Sequence, residues 1–183
     1  MKIVILDRDG VINFDAETHI RSSREWEPIP GSLEGIAQLT HGGYRVVVAT
    51  NQSGISRGLY DLESLNRIHQ KMHTYVQEHG GHIDAIMFSP YSDDREPSRK
   101  PNPGMLTEIA SRLGISLRGV PVVGDSLRDL QAARSVEARP ILVRTGNGAQ
   151  TEIDASELLV GIDVFENLAA VAEHLLAPSD SRA

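Results

Sequence analysis

The 183-residue sequence contains no cysteine. That absence excludes disulfides and every thiolate metal site, while metals held by oxygen ligands remain possible. A basic block is also missing: 18 Lys and Arg against 25 Asp and Glu give a net charge of −7, the wrong sign for a protein whose main partner is a phosphate backbone. Nucleic acid is therefore not an expected partner, and any anionic ligand must be held by local groups. No apolar run is long enough to span a bilayer, and the N-terminus enters an apolar strand directly, without a charged stretch followed by a secretion-type apolar segment. No membrane association is expected, and the cytoplasm is the expected location. Neither G-x-x-x-x-G-K-[ST] nor G-x-G-x-x-G occurs, and Gly146-x-Gly148 has no third glycine at Thr151. There is no internal repeat.

What is present is ordinary globular composition, 40% hydrophobic and 23% charged, enough for one full core. A single domain over 1–177 with a frayed tail at 178–183 is expected. Apolar runs at 3–6, 44–50, 83–88, 119–125 and 140–143 read as strands, since short apolar stretches bounded by turn residues suit a sheet buried on both faces. Between them lie periodic stretches that read as helices: one from Gly31-Ser32 to the stop at His41-Gly42-Gly43, and one opened by Asp61 and ended by Gly80-Gly81. A third has Pro103 at its first position and runs to Leu113, and two more cover 126–136 and 166–176. The alternation predicts an α/β fold with a doubly wound, mostly parallel, Rossmann-like sheet. Residues 13–30 form a long loop beside the end of the first strand, where functional lids are common.

The strand ends carry the chemistry. The first delivers Asp7 and Asp9, which point to the same side and repel each other unless a cation or shared proton intervenes. The second ends in Thr50 and Asn51, and the fourth in Asp125 with Asp129 one helical turn on. Lys100 lies in the loop before the third helix. Carboxylates from two strands suit Mg²⁺, while a hydroxyl, an amide and an ammonium suit phosphate oxygens. In a doubly wound sheet all of these sit where ligands bind, outside the carboxyl ends of the strands.

Residues 3–12, 46–51, Lys100 and 120–129 resemble, in order, the four motifs of the haloacid dehalogenase superfamily of aspartate-nucleophile phosphatases. More narrowly, Asp7-Arg8-Asp9-Gly10-Val11-Ile12-Asn13, Thr50-Asn51-Gln52-Ser53-Gly54-Ile55-Ser56-Arg57-Gly58, Arg99-Lys100-Pro101-Asn102-Pro103-Gly104-Met105 and Gly124-Asp125-Ser126-Leu127-Arg128-Asp129 resemble the heptose-bisphosphate phosphatases, with histidinol phosphatases as near relatives. The resemblance implies a small or absent cap and a Mg²⁺-dependent phosphatase. Such an enzyme would remove one phosphate, the 7-phosphate, from D-glycero-D-manno-heptose 1,7-bisphosphate on the way to nucleotide-activated heptose for lipopolysaccharide. It implies Asp7 as nucleophile, Asp9 as general acid and base, and Mg²⁺ held by the Asp7 carboxylate, the Asp9 backbone carbonyl and Asp125, with Asp129 behind them. Thr50, Asn51 and Lys100 would hold the transferring phosphoryl group, and Arg57, Arg99, Gln52 and Asn13 the rest of a phosphosugar substrate. A monomer is expected.

Two readings compete. Histidinol phosphate carries an ammonium and an imidazole and would favour acidic loop residues, which Asp93, Asp94 and Glu96 supply. A phospho-receiver signalling domain also uses clustered acids, a Thr and a Lys, but takes its phosphate at the end of the third strand, which here has only Asp84 near its start. His69 and His73 have metal-ligand spacing, yet Gln70 stands where H-E-x-x-H needs Glu, so both read as surface histidines. Many heptose-bisphosphate phosphatases bind zinc through Cys-x-His and Cys-x-Cys before the Arg-Lys-Pro motif; the corresponding positions here are Ser89, Tyr91, Glu96 and Ser98, so no zinc is expected. Elemental analysis of protein stripped of Mg²⁺ should find no stoichiometric zinc, and one equivalent would overturn that expectation.

Overall fold

Val4, Leu6, Val46, Val48 and Val123 alternate along three strands with Ile3, Ile5, Val47, Ala49 and Val122, and the two sets enter different cores. A strand presents successive side chains to opposite faces, so near-continuous apolar runs are what a sheet covered on both faces requires. The computed structural model describes residues 2–16 and 19–178; the tail expected to fray lies, from 179 onward, outside them. Among these residues the chain runs β1 (Lys2–Leu6), α1 (Ser32–His41), β2 (Tyr44–Asn51), α2 (Leu62–Glu78), β3 (Ala85–Ser89), α3 (Gly104–Leu113), β4 (Pro121–Gly124), α4 (Leu127–Ser135), β5 (Arg139–Val143), α5 (Gly148–Asp154), β6 (Asp163–Phe165) and α6 (Leu168–Leu176). All strands pair in parallel, in the order β3-β2-β1-β4-β5-β6. Residues from α1, α2 and α6 pack on one face of the sheet and from α3 and α4 on the other.

The strand order places the site. The chain fills β1 to β3 on one side, then crosses to β4 on the other side of β1, so β1 and β4 are neighbours whose following loops diverge. Leu6 registers with both Val48 and Val123, and the Asp7 N–H donates to Val123 O at 2.9 Å. The residues after β1, β2 and β4 are thereby gathered at one crevice, the switch point of the sheet.

Several boundaries differ from the sequence reading for local reasons. The sheet has a sixth strand, β6, and a short helix, α5, that were not expected; three residues and an unpatterned Gly-Ala-Gln-Thr-Glu-Ile-Asp carry too little periodicity to be read. Strand β3 starts at Ala85, because the Asp84 carboxylate turns back to Arg45 Nε (2.8 Å) and the Val46 N–H (3.1 Å). Pro103 caps α3 instead of opening it. Helix α6 begins after Asn167, whose side chain accepts from the Ala170 N–H at 3.0 Å.

The loop at 13–30 is only partly a lid. Ile20, Trp26 and Ile29 are buried, Asn13 bridges to Pro28, and Lys71 Nζ donates to the carbonyls of Ser23 (2.9 Å) and Trp26 (2.8 Å). Only its first half, at Asp15, Ala16 and His19, reaches the crevice. Trp26 is wholly buried with Tyr75 edge-on at 5.6 Å, so it is the staple of the loop. Trp26→Ala should cost about 3–5 kcal/mol, measured as the shift in urea-unfolding midpoint at unchanged slope.

Candidate active site

Asp7 leaves β1 into a cavity of about 530 Å³ that is also lined by Asp9, Thr50, Asn51, Arg99, Lys100, Asp125, Asp129 and Asn147. One carboxylate oxygen from each of Asp7, Asp125 and Asp129 lies within 4.8 Å of the others. Lys100 is the cation inside this cluster: its Nζ meets Asp129 Oδ1 at 2.5 Å, Asp7 Oδ1 at 3.1 Å and Ala49 O at 2.8 Å. Its three N–H bonds are thus all taken. Burial is the largest influence on Asp7 and drives its carboxyl well above the usual range; Lys100 opposes this, while Asp129, Asp125 and Asp9 add to it. Burial, then Asp129, likewise pushes Asp125 up to about 7 against the hydrogen bonds of Asn147. Too many carboxylates share too little positive charge here.

Local structure holds the cluster in place. Asp129 Oδ2 accepts from the Ser126 N–H (3.1 Å) and Oγ (2.5 Å), so the side chain that completes the capping box of α4, whose N-cap is Ser126, is also the Lys100 partner. Asp125 Oδ2 accepts from the Asn147 N–H (2.8 Å) and Nδ2 (3.1 Å), and Thr145 Oγ1 donates to Gly10 O (2.7 Å), tying the β5–α5 turn to the β1 loop. Gly10 (φ +79°) and Gly146 (φ +58°) leave room for that carboxylate, since a Cβ on either would fall 2.1 or 2.3 Å from Asp125 Oδ2.

Asp9 points elsewhere. Its Oδ1 accepts from Arg8 Nε (3.0 Å), Arg8 Nη2 (2.8 Å) and Asn13 Nδ2 (2.8 Å), and its Oδ2 from Arg8 Nη2 and Gln52 Nε2, both at 2.9 Å. Burial raises the Asp9 carboxyl, but the Arg8 charge and the hydrogen bonds of Asn13, Arg8 and Gln52 outweigh it and hold the group below its ordinary value. Gln52 Nε2 also donates to Thr50 Oγ1 at 2.9 Å, which leaves the Thr50 hydroxyl proton available to an oxygen in the cavity.

The structure therefore redistributes the predicted residues. Asp7, Asp9, Thr50, Asn51, Arg99, Lys100 and Asp125 share the cavity. Asn13 and Gln52, expected against substrate, are buried behind Asp9 and spend their amides on it. The Asn51 side chain pins the Lys100 backbone, donating to Lys100 O (2.9 Å) and accepting from the Lys100 N–H (3.1 Å). Arg57 is exposed on the turn after β2 and does not line the cavity. Arg99 does line it, tethered to Asp94 Oδ1 (2.8 Å) and Tyr91 O (3.0 Å), and Arg128 joins it on the cavity wall. His69 is not a surface histidine: its residue exposure is 8% and its Nε2 faces Arg8 Nη1 at 3.4 Å. Asn147 went unread because it lies in a Gly-rich turn with no local signal for a contact to Asp125, and Arg128 because its neighbours in the sequence, not its own type, carried the motif.

Residues 2–127 match the polynucleotide kinase 3 phosphatase family model, and residues 97–171 the HAD-hydrolase-like model. The D-glycero-beta-D-manno-heptose-1,7-bisphosphate 7-phosphatase of Bordetella bronchiseptica is 52% identical over 96% of this chain and 98% of its own. This chain belongs to the heptose-bisphosphate phosphatase family of haloacid dehalogenase-like hydrolases. The Pseudomonas aeruginosa relative with the same name is 48% identical over 95% of this chain and 97% of its own. The crystal structure of the B. bronchiseptica phosphatase complexed with magnesium and phosphate matches with a TM-score of 0.93, 52% identity and coverage of 96% and 98%. That of the Burkholderia thailandensis phosphatase gives 0.77, 47%, 97% and 100%.

The donor set here fits a hard divalent cation: three buried or half-buried carboxylates, all oxygen, with one oxygen of Asp125 seated in a cradle that any side chain at Gly10 or Gly146 would fill. Asp125 protonated at low pH must lose its proton to bind a cation. A carboxyl raised from 3.8 to about 7 binds more protons folded than unfolded, so without a cation its contribution to stability falls as pH rises through that window. Mg²⁺ should therefore raise the thermal midpoint more at pH 8 than at pH 5. Equal increments at both pH values would contradict the assignment of the cluster as a cation site.

Proposed function

We propose that this chain is a Mg²⁺-dependent phosphatase that removes the 7-phosphate of D-glycero-β-D-manno-heptose 1,7-bisphosphate through an aspartyl-phosphate on Asp7. The observation that carries the reaction type is the meeting of Asp7, Asp9, Thr50 and Lys100 in one cavity at the switch point of the sheet. The substrate follows from the names of the relatives, 52% and 48% identical over nearly the whole chain.

In the first half-reaction an Asp7 carboxylate oxygen bonds to phosphorus as the bond from phosphorus to the sugar oxygen breaks, and Asp9 delivers a proton to that oxygen to release an alcohol. Asp9 is ionised in the Arg8-bound arrangement; a phosphate dianion entering beside it favours its protonated form. In the second half-reaction a water oxygen attacks phosphorus, Asp9 takes the water proton, and the Asp7 carboxylate and inorganic phosphate are released. Lys100, by giving up its 3.1 Å contact to Asp7, and Thr50, through its hydroxyl proton, hold the phosphoryl oxygens. The Asp7 and Asp125 carboxylates and the Asp9 carbonyl would hold Mg²⁺, which when bound offsets the repulsion between an anionic nucleophile and an anionic phosphate.

Arg99 and Arg128, both lining the cavity, suit a second phosphate better than the ammonium and imidazole of histidinol phosphate. A polynucleotide substrate is disfavoured by the net charge of −7. The receiver reading lacks its acceptor, since β3 ends in Ser89, whose hydroxyl faces that of Ser98 at 3.2 Å.

Phosphate release with Mg²⁺ or EDTA should be measured on both anomers of the heptose bisphosphate, on histidinol phosphate and on a 3′-phosphorylated oligonucleotide. The β-bisphosphate should be preferred by about tenfold or more, with the 1-phosphate retained; preference for another ester would replace the substrate while keeping the chemistry. Asp7→Asn should abolish turnover without unfolding the protein, and Lys100→Ala should lower kcat by about 10²-fold or more. Undiminished turnover in Asp7→Asn would refute the mechanism.

A further inference from the structure

Behind Asp9 lies a buried polar assembly in which two side chains take no part in the scheme above. Arg8, 1% exposed, holds both Asp9 oxygens; its Nη2 also donates to Gln52 Oε1 at 3.2 Å, and its Nη1 faces His69 Nε2 at 3.4 Å. A guanidinium can only donate, so Nε2 accepts and the ring proton sits on Nδ1. Burial, followed by the Arg8 charge, pushes His69 down to about 3, which keeps the ring neutral. On the other side Tyr60 Oη donates to Gln52 Oε1 at 2.6 Å. The Gln52 amide thus has its oxygen between two donors, Tyr60 and Arg8, and its nitrogen between two acceptors, Asp9 and Thr50. Turning it over would set its nitrogen against the Arg8 donor and its oxygen against the Asp9 carboxylate, so its orientation is determined.

Two chains of contact result: His69 to Arg8 to Asp9, and Tyr60 to Gln52 to Asp9. His69 lies on α2 among Leu65, Ile68 and Met72, on the face that packs inward. Packing alone would be met there by an aliphatic side chain with no desolvation cost, whereas an imidazole supplies the acceptor that a buried Arg8 needs.

We propose that His69 and Tyr60 are positioning residues which, acting through Arg8 and Gln52, fix the Asp9 carboxylate in the arrangement from which it exchanges protons with the reacting oxygens. The proposal rests on the reading of Asp9 as general acid and base. It assigns work to α2, which contributes nothing to the cavity wall, and to the turn leading into it.

The test compares leaving groups. kcat/KM reports steps up to formation of the phosphorylated Asp7, where an alkyl oxygen needs a proton to leave and a nitrophenolate does not. His69→Leu and Tyr60→Phe should each lower kcat/KM by about tenfold or more for the heptose bisphosphate, within the range of general acid catalysis. The same variants should change kcat/KM by less than about threefold for 4-nitrophenyl phosphate, with esters of intermediate leaving ability graded between. His69→Gln, whose amide oxygen can accept from Arg8, should recover most of the loss. Should His69→Leu fail to fold, Tyr60→Phe, which removes one oxygen, carries the same comparison. Equal losses on alkyl and aryl esters, or full activity on the sugar, would overturn the proposal. Wild-type protein that releases phosphate from none of the esters would instead overturn the reading of the site itself.

Discussion

Crowding of negative charge at the carboxyl ends of two adjacent parallel strands is the constraint to which the rest of this structure answers. Asp7 follows β1, Asp125 follows β4, and Asp129 reaches back from the first turn of α4, so that three carboxylate oxygens lie within 4.8 Å of one another. Left alone, such a cluster would protonate or push apart. It persists because Lys100 sits among its members with its Nζ shared by Asp7 and Asp129. Ser126 and Asn147 supply further donors to Asp129 and Asp125. Under the proposed reaction a divalent cation would complete the balance that one ammonium leaves short.

The same crevice gives two aspartates, two residues apart, opposite environments. Asp7 lies among other acids and its carboxyl is driven up; Asp9 turns into a cradle of Arg8, Asn13 and Gln52 and is held down. Separation of two carboxyls by environment is how one site assigns different tasks to like groups. The cradle is also the link between the chemistry and the frame, because Gln52 follows β2, and Arg8 rests on His69 from α2. Rigid elements behind a reactive group limit its rotamers, which is what orientation in catalysis requires.

Around this centre the scaffold divides its labour. The sheet is covered on both faces by apolar clusters that include no active-site group. The loops that follow β1, β2, β4 and β5 carry the polar contacts, while the loop at 13–30 is stapled by Trp26 and offers only its first half to the cavity. The loop before α3 is fastened by its own polar bonds. Arg99 holds Asp94 and Tyr91 O, and Asn102 Nδ2 donates to the carbonyls of Asp94 (2.7 Å) and Glu96 (3.0 Å). Lys100 is fixed between that fastened loop and the Asn51 amide.

What the sequence determined by itself is what depends on neighbours in the chain. The strand runs, the helix periods, the alternation that predicts a doubly wound sheet and the positions of Asp7, Asp9, Thr50 and Asp125 at strand ends and of Lys100 before the third helix are written in short stretches whose chemistry is local, and these stretches also carry the family resemblance. Tertiary structure alone decided which polar residues look into the cavity and which stand behind it. Nothing in Gln52, Asn13 or Asn51 distinguishes an amide that meets substrate from one that holds Asp9 or Lys100, because that depends on which way a loop closes over the sheet. His69 reads as a surface residue until α2 is docked and Arg8 is found beneath it. Asn147 acquires its contact to Asp125 only when the turn after β5 crosses the end of β4, and Arg57 fails to reach the cavity because its turn carries it outward. Local sequence specifies the elements; the long-range register between them specifies the contacts of their ends.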